Sequence, residues 1–339
     1  MKKITALLLA LMMLAGILAG CGKPKDTGKA GKLKVVTTIF PEYDWVRAIL
    51  GDKADNAEIT MLLDNGVDLH SYQPTADDIV KISDCDLFVY VGGESDGWVE
   101  NALKNAANRN MKVINLLEVL GDSVKAEETV EGMQEDGHDH GHSHDEHDEE
   151  HDETDGHDHG EEKDEHVWLS LKNAQVLCVT IADALCAIDP DNKNTYIANA
   201  AAYRDKLAAL DADYKAAVDG AAHKTILFGD RFPFRYLVDD YGLRYYAAFA
   251  GCSAETEASF ETVSFLAKKV DELGLPCVLT IEGAQHRIAE TIVQNTAGKN
   301  QKVLTMDSMQ STTSKDVANG TTYLSVMEKN LSVLKEALG

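Results

Sequence analysis

Eight short apolar runs punctuate the chain, and their apolarity is continuous rather than alternating. In the first half they are Leu33–Thr38 (LKVVTT), Ala57–Leu63 (AEITMLL), Asp86–Val91 (DLFVYV) and Met111–Asn115 (MKVIN). In the second half they are Thr225–Gly229 (TILFG), Arg244–Phe249 (RYYAAF), Pro276–Ile281 (PCVLTI) and Lys302–Met306 (KVLTM). Continuous apolarity implies strands covered on both faces, as in parallel sheets flanked by helices. Four such runs in each half, with helical stretches between them, predict an α/β fold of two lobes, each holding a four-stranded, mainly parallel sheet. Between the halves, Tyr196, Tyr203, Leu207, Leu210, Tyr214 and Val218 recur at spacings of 7, 4, 3, 4 and 4. Those spacings draw one face of a helix about 35 Å long, enough to join two lobes rigidly. The expected division is a first lobe over 33–190, a backbone helix over 191–220 and a second lobe over 221–339.

The N-terminus changes the compartment. A basic MKK precedes the apolar run Ile4–Gly20, so residues 1–20 read as a secretory signal peptide. The sequence LAGC at Leu18–Cys21 resembles a bacterial lipobox, which implies cleavage before Cys21 and diacylation of its sulfur. Two acyl chains hold a protein stably on a membrane. Residues 21–32 then read as a lipidated tether. The expected location is therefore extracytoplasmic, on the bacterial cell membrane. The other cysteines are Cys85, Cys178, Cys186, Cys252 and Cys277. They show no CxxC spacing and read mostly as small core residues, with one disulfide left open.

Charge adds a second feature. The formal net charge is −25, and residues 131–165 contribute 17 acidic side chains against one lysine. Such a chain is a poor ligand for nucleic acid and a plausible binder of cations. Residues 138–160 read HDHGHSHDEHDEEHDETDGHDHG, with eight of the 12 histidines: His138, His140, His142, His144, His147, His151, His157 and His159. No apolar residue occurs there, so a disordered loop over 127–164 is expected. Clustered imidazoles and carboxylates on such a loop form an auxiliary metal-gathering segment, with Zn²⁺ as the natural ligand.

Ligands in open α/β sheets bind beyond the carboxyl ends of strands. The polar residues at those ends are His70, His166, Asp230 and Asp307, two from each half. Two imidazoles and two carboxylates suit a four-coordinate Zn²⁺, with Mn²⁺ or Fe²⁺ as alternatives. Plainer roles exist for each. Asp307 could cap the following helix, Asp230 could cap a helix or pair with Arg231 or Arg235, and His166 could be the last of the acidic run. Glu282 is a reserve candidate, while His223 and His286 read as ordinary surface residues.

Taken together, GVDLHSYQPTADDI, DEHVWLSLKNA, and YGL after RFPFRYLVDD followed by GCSAE resemble the zinc/manganese solute-binding proteins of ABC transporters. The acidic, His-rich loop is similar to that of the zinc-specific members. The resemblance implies two α/β lobes, a connecting helix and a metal buried in the interlobe cleft, held by His70, His166 and Asp307. Where the family carries a third ligand, His or Glu, this chain has Arg231, which has no lone pair to offer a metal. Asp230 is then the candidate replacement, with Glu282 or water behind it. The implied function is capture of Zn²⁺, with Mn²⁺ second, and its delivery to a membrane permease by a monomeric lipoprotein. A zinc-sequestering surface adhesin is the alternative. A zinc hydrolase ranks below it, because no HExxH and no paired general base are present, so no enzymatic activity is expected.

Overall fold

The structure, a computed structural model, describes residues 31–134, 162–253, 257–283 and 286–339. Residues 33–339 form one compact unit. Its first sheet contains β1 (Leu33–Thr37), β2 (Ala57–Met61), β3 (Leu87–Tyr90) and β4 (Lys112–Asn115) in the order β2-β1-β3-β4. The second contains β5 (Thr225–Phe232), β6 (Arg244–Ala250), β7 (Cys277–Ile281) and β8 (Lys302–Met306) in the order β6-β5-β7-β8. All the strand pairs are parallel. Every expected strand is therefore present, and the two sheets share one topology. In each sheet the order reverses beside the first strand, so the crevices that suit ligands open at the strands' carboxyl ends.

The largest departure from the expected strand ends is at β5. It runs three residues beyond Gly229, and its register against β6 shifts between Phe228 and Arg231. Asp230 and Arg231 thus lie within an irregular strand rather than in a loop after it. A bulge of this kind re-aims the side chains it carries.

The first sheet is covered by α1 (Phe40–Leu50), α2 (Ala76–Asp84), α3 (Val99–Lys104), α4 (Leu116–Leu120) and α5 (Leu171–Ile188). The long helix α6 (Lys193–Gly220) follows, with Tyr196, Ala200, Tyr203, Leu207, Leu210, Tyr214 and Val218 buried. These include every residue of the face expected from the sequence. In the second lobe α7 (Arg235–Tyr241), α8 (Phe260–Leu273), α9 (Arg287–Asn295), α10 (Ser314–Ala318) and α11 (Tyr323–Leu338) alternate with or follow the strands.

Helix α6 packs on α1 of the first lobe and on α11 of the second. Near its start the Asn199 amide donates to the Ile49 carbonyl at 2.9 Å, and the Tyr203 hydroxyl donates to Asp44 at 3.3 Å. Towards its end the Tyr214 hydroxyl donates to the Met327 carbonyl at 2.6 Å. One continuous apolar core carries these contacts from Val35 of β1 through Trp168, Tyr196 and Tyr214 to Phe228 and Leu334. A smaller core lies wholly in the second lobe, around Leu227, Phe249, Leu266 and Ile292.

The five cysteines among the described residues are free. Cys85, Cys178, Cys186 and Cys277 are buried, whereas Cys252 is partly exposed. Residues 135–161, with the eight histidines of the acidic segment, lie outside the described residues. The ends of that segment are described. Ala126 and Lys163 form an antiparallel bridge, and the Gln134 backbone N–H donates to the Ala248 carbonyl of β6 at 2.9 Å.

Candidate metal centre

His70 sits on a single 3₁₀ turn, Leu69–Ser71, in the connection that follows β2. Asp68 caps that turn, its Oδ1 accepting from the His70 backbone N–H at 3.0 Å. His166 stands at the start of a second 3₁₀ turn, Val167–Leu169, and is fully buried. Asp164 folds back on it, Oδ1 accepting from the His166 backbone N–H at 2.9 Å and lying 3.0 Å from its Nδ1. This carboxylate favours the Nδ1–H tautomer and turns the Nε2 lone pair outwards. At His70 the Nδ1 lies 2.8 Å from the Ser95 hydroxyl, which again leaves Nε2 free.

The two Nε2 atoms face each other at 3.3 Å. A tetrahedral zinc with Zn–N bonds of about 2.0–2.1 Å separates neighbouring ligand nitrogens by about 3.3–3.4 Å. The imidazoles are therefore spaced as two corners of one coordination tetrahedron. Burial holds His70 down at about 4, and the charge of His166 acts in the same direction. Burial also opposes protonation of His166, but the charge and hydrogen bond of Asp164, helped by Glu165 and Asp68, outweigh it and raise that imidazole.

Glu165 completes the surroundings. Its Oε1 accepts from the Ser95 backbone N–H at 2.9 Å, and its Oε2 lies 3.5 Å from His70 Nδ1. That second oxygen is buried without a hydrogen-bond partner, and burial raises the carboxyl above its usual range. A buried carboxylate beside two imidazoles favours a positive charge between them.

The other two residues expected as ligands make hydrogen bonds of their own. Asp230 Oδ2 accepts from the Thr280 hydroxyl at 2.5 Å and from the Ile281 N–H at 3.3 Å, while Oδ1 accepts from the Arg231 N–H at 2.9 Å. Asp307 Oδ1 accepts from the Met309 N–H at 2.8 Å, and burial beside Glu282 raises its carboxyl to about 6. Glu282 accepts from the Ser308 N–H and hydroxyl at 2.6 and 2.7 Å. Neither Asp230 nor Asp307 joins the histidine pair as placed here. A cleft of about 900 Å³ opens beside the pair, lined by Asp68, Asp230, Arg231, Ser253, Glu282 and Arg287. It includes neither imidazole. His286, which reads as a surface residue from sequence, places Nδ1 3.1 Å from the Thr280 hydroxyl.

The residue that sequence reasoning passed over is Cys252. Its sulfur and ring nitrogens of His70 and His166 all lie within 4.8 Å of one another. A lone cysteine in an apolar stretch reads as core. The signal that could have set it apart is its position just after β6, at a strand's carboxyl end.

Two parallel sheets, a helix bound to both lobes and a pair of facing histidines define the architecture of a two-lobed solute-binding protein. The chain belongs to the family described as zinc-uptake complex component A, periplasmic (ZnuA), whose model matches residues 35–337. It is 34% identical over 341 positions to the zinc-binding lipoprotein AdcA of Streptococcus pneumoniae, an alignment covering 99% of this chain but 61% of that protein. It is 31% identical over 326 positions to the high-affinity zinc uptake system protein ZnuA of Bacillus subtilis, covering 95% of this chain and 94% of that one. Among solved structures it resembles the Zn(II)-bound ZnuA-like domain of Streptococcus pneumoniae AdcA, with a TM-score of 0.67 and 31% identity, covering 91% of this chain and 99% of that chain. It also resembles the metal-dependent lipoprotein YcdH of Bacillus subtilis, with a TM-score of 0.69 and 27% identity, covering 91% and 99%.

Proposed function

We propose that this chain captures Zn²⁺ outside the cytoplasm, at the His70–His166 pair, and delivers it to an ABC-transporter permease. The observation that carries the reading is the 3.3 Å separation of two outward-facing Nε2 atoms, each ring oriented by its own hydrogen bonds. Family membership and the zinc named for the relatives support it. Asp307 is the carboxylate we assign to close the shell. With its amide turned to donate, the Gln310 nitrogen lies 3.1 Å from Asp68 Oδ1, so the turn that begins at Asp307 abuts the turn that carries His70. Asp230 is the weaker candidate, because Thr280, Ile281 and Arg231 already engage both its oxygens. We read Cys21 as the site of lipid attachment, and the eight histidines of residues 138–159 as a looser store of zinc.

Competition with a chromophoric chelator tests the capture site. Wild type should hold one Zn²⁺ far more tightly than the rest, and His70→Ala or His166→Ala should abolish that single tight site. If both variants keep it, capture does not occur at this pair.

A further inference from the structure

We propose that Cys252 supplies a thiolate ligand to the metal held by His70 and His166, in the role that Arg231 cannot fill in this chain. The assignment rests on the capture reading above and adds a ligand to it. The sulfur is already within 4.8 Å of the ring nitrogens of both histidines. With Zn–S near 2.3 Å and Zn–N near 2.0–2.1 Å, a tetrahedral site needs sulfur and nitrogen about 3.5–3.6 Å apart. Closing the remaining gap takes a shift of about an ångström in one partly exposed turn.

The local structure holds that turn against the pair. Gly251 precedes Cys252, and a Cβ there would stand 3.1 Å from Cε1 of His166, 3.2 Å from its Nδ1 and 2.9 Å from the Phe232 carbonyl. Only a residue without a side chain lets the backbone lie so close against the buried imidazole. The Cys252 N–H is held by Glu127 Oε1 at 3.0 Å. Arg231 braces the same turn from the other side. Its Nη1 donates to the Ser253 carbonyl at 3.4 Å, and its Nη2 donates to Asp68 Oδ2 at 2.7 Å. The guanidinium thus ties the turn that carries Cys252 to the turn that carries His70.

A buried carboxylate behind the His70 ring adds negative charge that favours a cation bound to the pair. The Glu165 carboxylate is 2% exposed, and its Oε2 faces His70 without a hydrogen-bond partner. Binding forms a metal–sulfur bond and releases the thiol proton to solvent. A thiolate shifts preference towards zinc and softer ions and away from manganese, the reverse of an all-oxygen replacement.

Co²⁺ titration of the full chain reads the ligand directly. A thiolate on Co²⁺ gives a near-ultraviolet charge-transfer band that imidazole and carboxylate do not. Wild type should show the band, and Cys252→Ser should lose it while keeping the visible bands of Co²⁺ bound by His70 and His166. Its Zn²⁺ affinity should drop at least tenfold. In wild type, Zn²⁺ should also protect Cys252 from alkylation in peptide mapping, a measurement that needs no variant to fold. A Co²⁺ complex with no thiolate band, or equal spectra for wild type and Cys252→Ser, overturns the thiolate. If His70→Ala binds Co²⁺ with the wild-type spectrum, the capture site itself is misplaced and both readings fall. If His70→Ala loses the metal while Cys252→Ser matches wild type, only the thiolate falls.

Discussion

Arg231 and Asp68 are 163 positions apart in sequence and bonded at 2.7 Å in the fold. The first belongs to β5 in the second lobe, the second caps the turn of His70 in the first. A guanidinium, which has no lone pair to offer a metal, thus acts as a strut between the lobes. Burial would raise the Asp68 carboxyl, but the charge and hydrogen bond of Arg231 outweigh it and hold it below its usual range. With a depressed folded value, the stabilisation is present above the unfolded pKa near 4 and is lost as pH falls through the folded one. Arg231→Ala should therefore cost about 1 kcal/mol at neutral pH, with both partners still partly solvated. Urea titrations at low and high salt check it, since the cost should shrink as salt rises. Equal stability at both salt levels would show the pair to be idle.

Asp164→Asn isolates the control of the buried imidazole. Without the carboxylate, burial acts on His166 unopposed by its main partner, and its pKa should move down. Ring orientation should loosen as well, with Zn²⁺ affinity weaker by about 10–100-fold. Imidazole NMR titration of the metal-free protein and chelator competition measure the two effects. An unmoved His166 resonance would remove Asp164 from the account.

The buried carboxyl of Asp96, next to the Ser95 that holds His70, supplies a pH signature of folding. Asp96 Oδ2 accepts from the Gly92 N–H at 2.9 Å, and its Oδ1 is buried without a partner. Burial raises this carboxyl from 3.8 to about 7. A raised folded value means that the contribution is whole below the unfolded pKa and lost as pH climbs through the folded one. Between about pH 4 and 7 wild type should lose up to about 1.4 kcal/mol per pH unit relative to Asp96→Asn. Parallel denaturation curves across that range decide it, and a constant difference would contradict it.

Tyr214→Phe tests the helix that joins the lobes. It removes a hydroxyl that is 0% exposed and bonded to the Met327 carbonyl, leaving an acceptor in the core without that donor. A loss of about 1–2 kcal/mol is expected. Thermal melts should show it as a single shifted transition, whereas an unchanged midpoint would mean that the carbonyl finds another donor.

The frame of this fold was legible because it follows from apolar pattern. All eight runs became strands, Lys302–Met306 with unchanged limits, and the face from Tyr196 to Val218 became the buried side of α6. The two histidines could be singled out because His70 follows a strand and both stand in recognisable motifs. What pattern could not give was the inner wall of the site. Asp164 and Glu165 close an acidic run and look solvated, yet both are 2% exposed because the bridge at Lys163 turns them inwards. Asp230 was a ligand candidate from its strand-end position, and sequence could not show that its oxygens accept from Thr280, Ile281 and Arg231. Cys252 has one sequence neighbour that matters, Gly251, and the reason lies in a ring 85 residues earlier that only the fold brings near.

The apolar core does not stop at the boundary between the sheets. Leu207, Tyr214, Phe228 and Leu334 belong to the same packed mass as Val35 and Trp45. Neither sheet can therefore come apart without exposing surface that the other relies on, and the shared core should open as one cooperative unit. An ion that touches only a few side chains then protects every residue of that unit equally. At a free concentration one hundred times its dissociation constant it adds about 2.7 kcal/mol. Hydrogen exchange in α6 and in α11, which carry no assigned ligand, would report its arrival as faithfully as the imidazoles do.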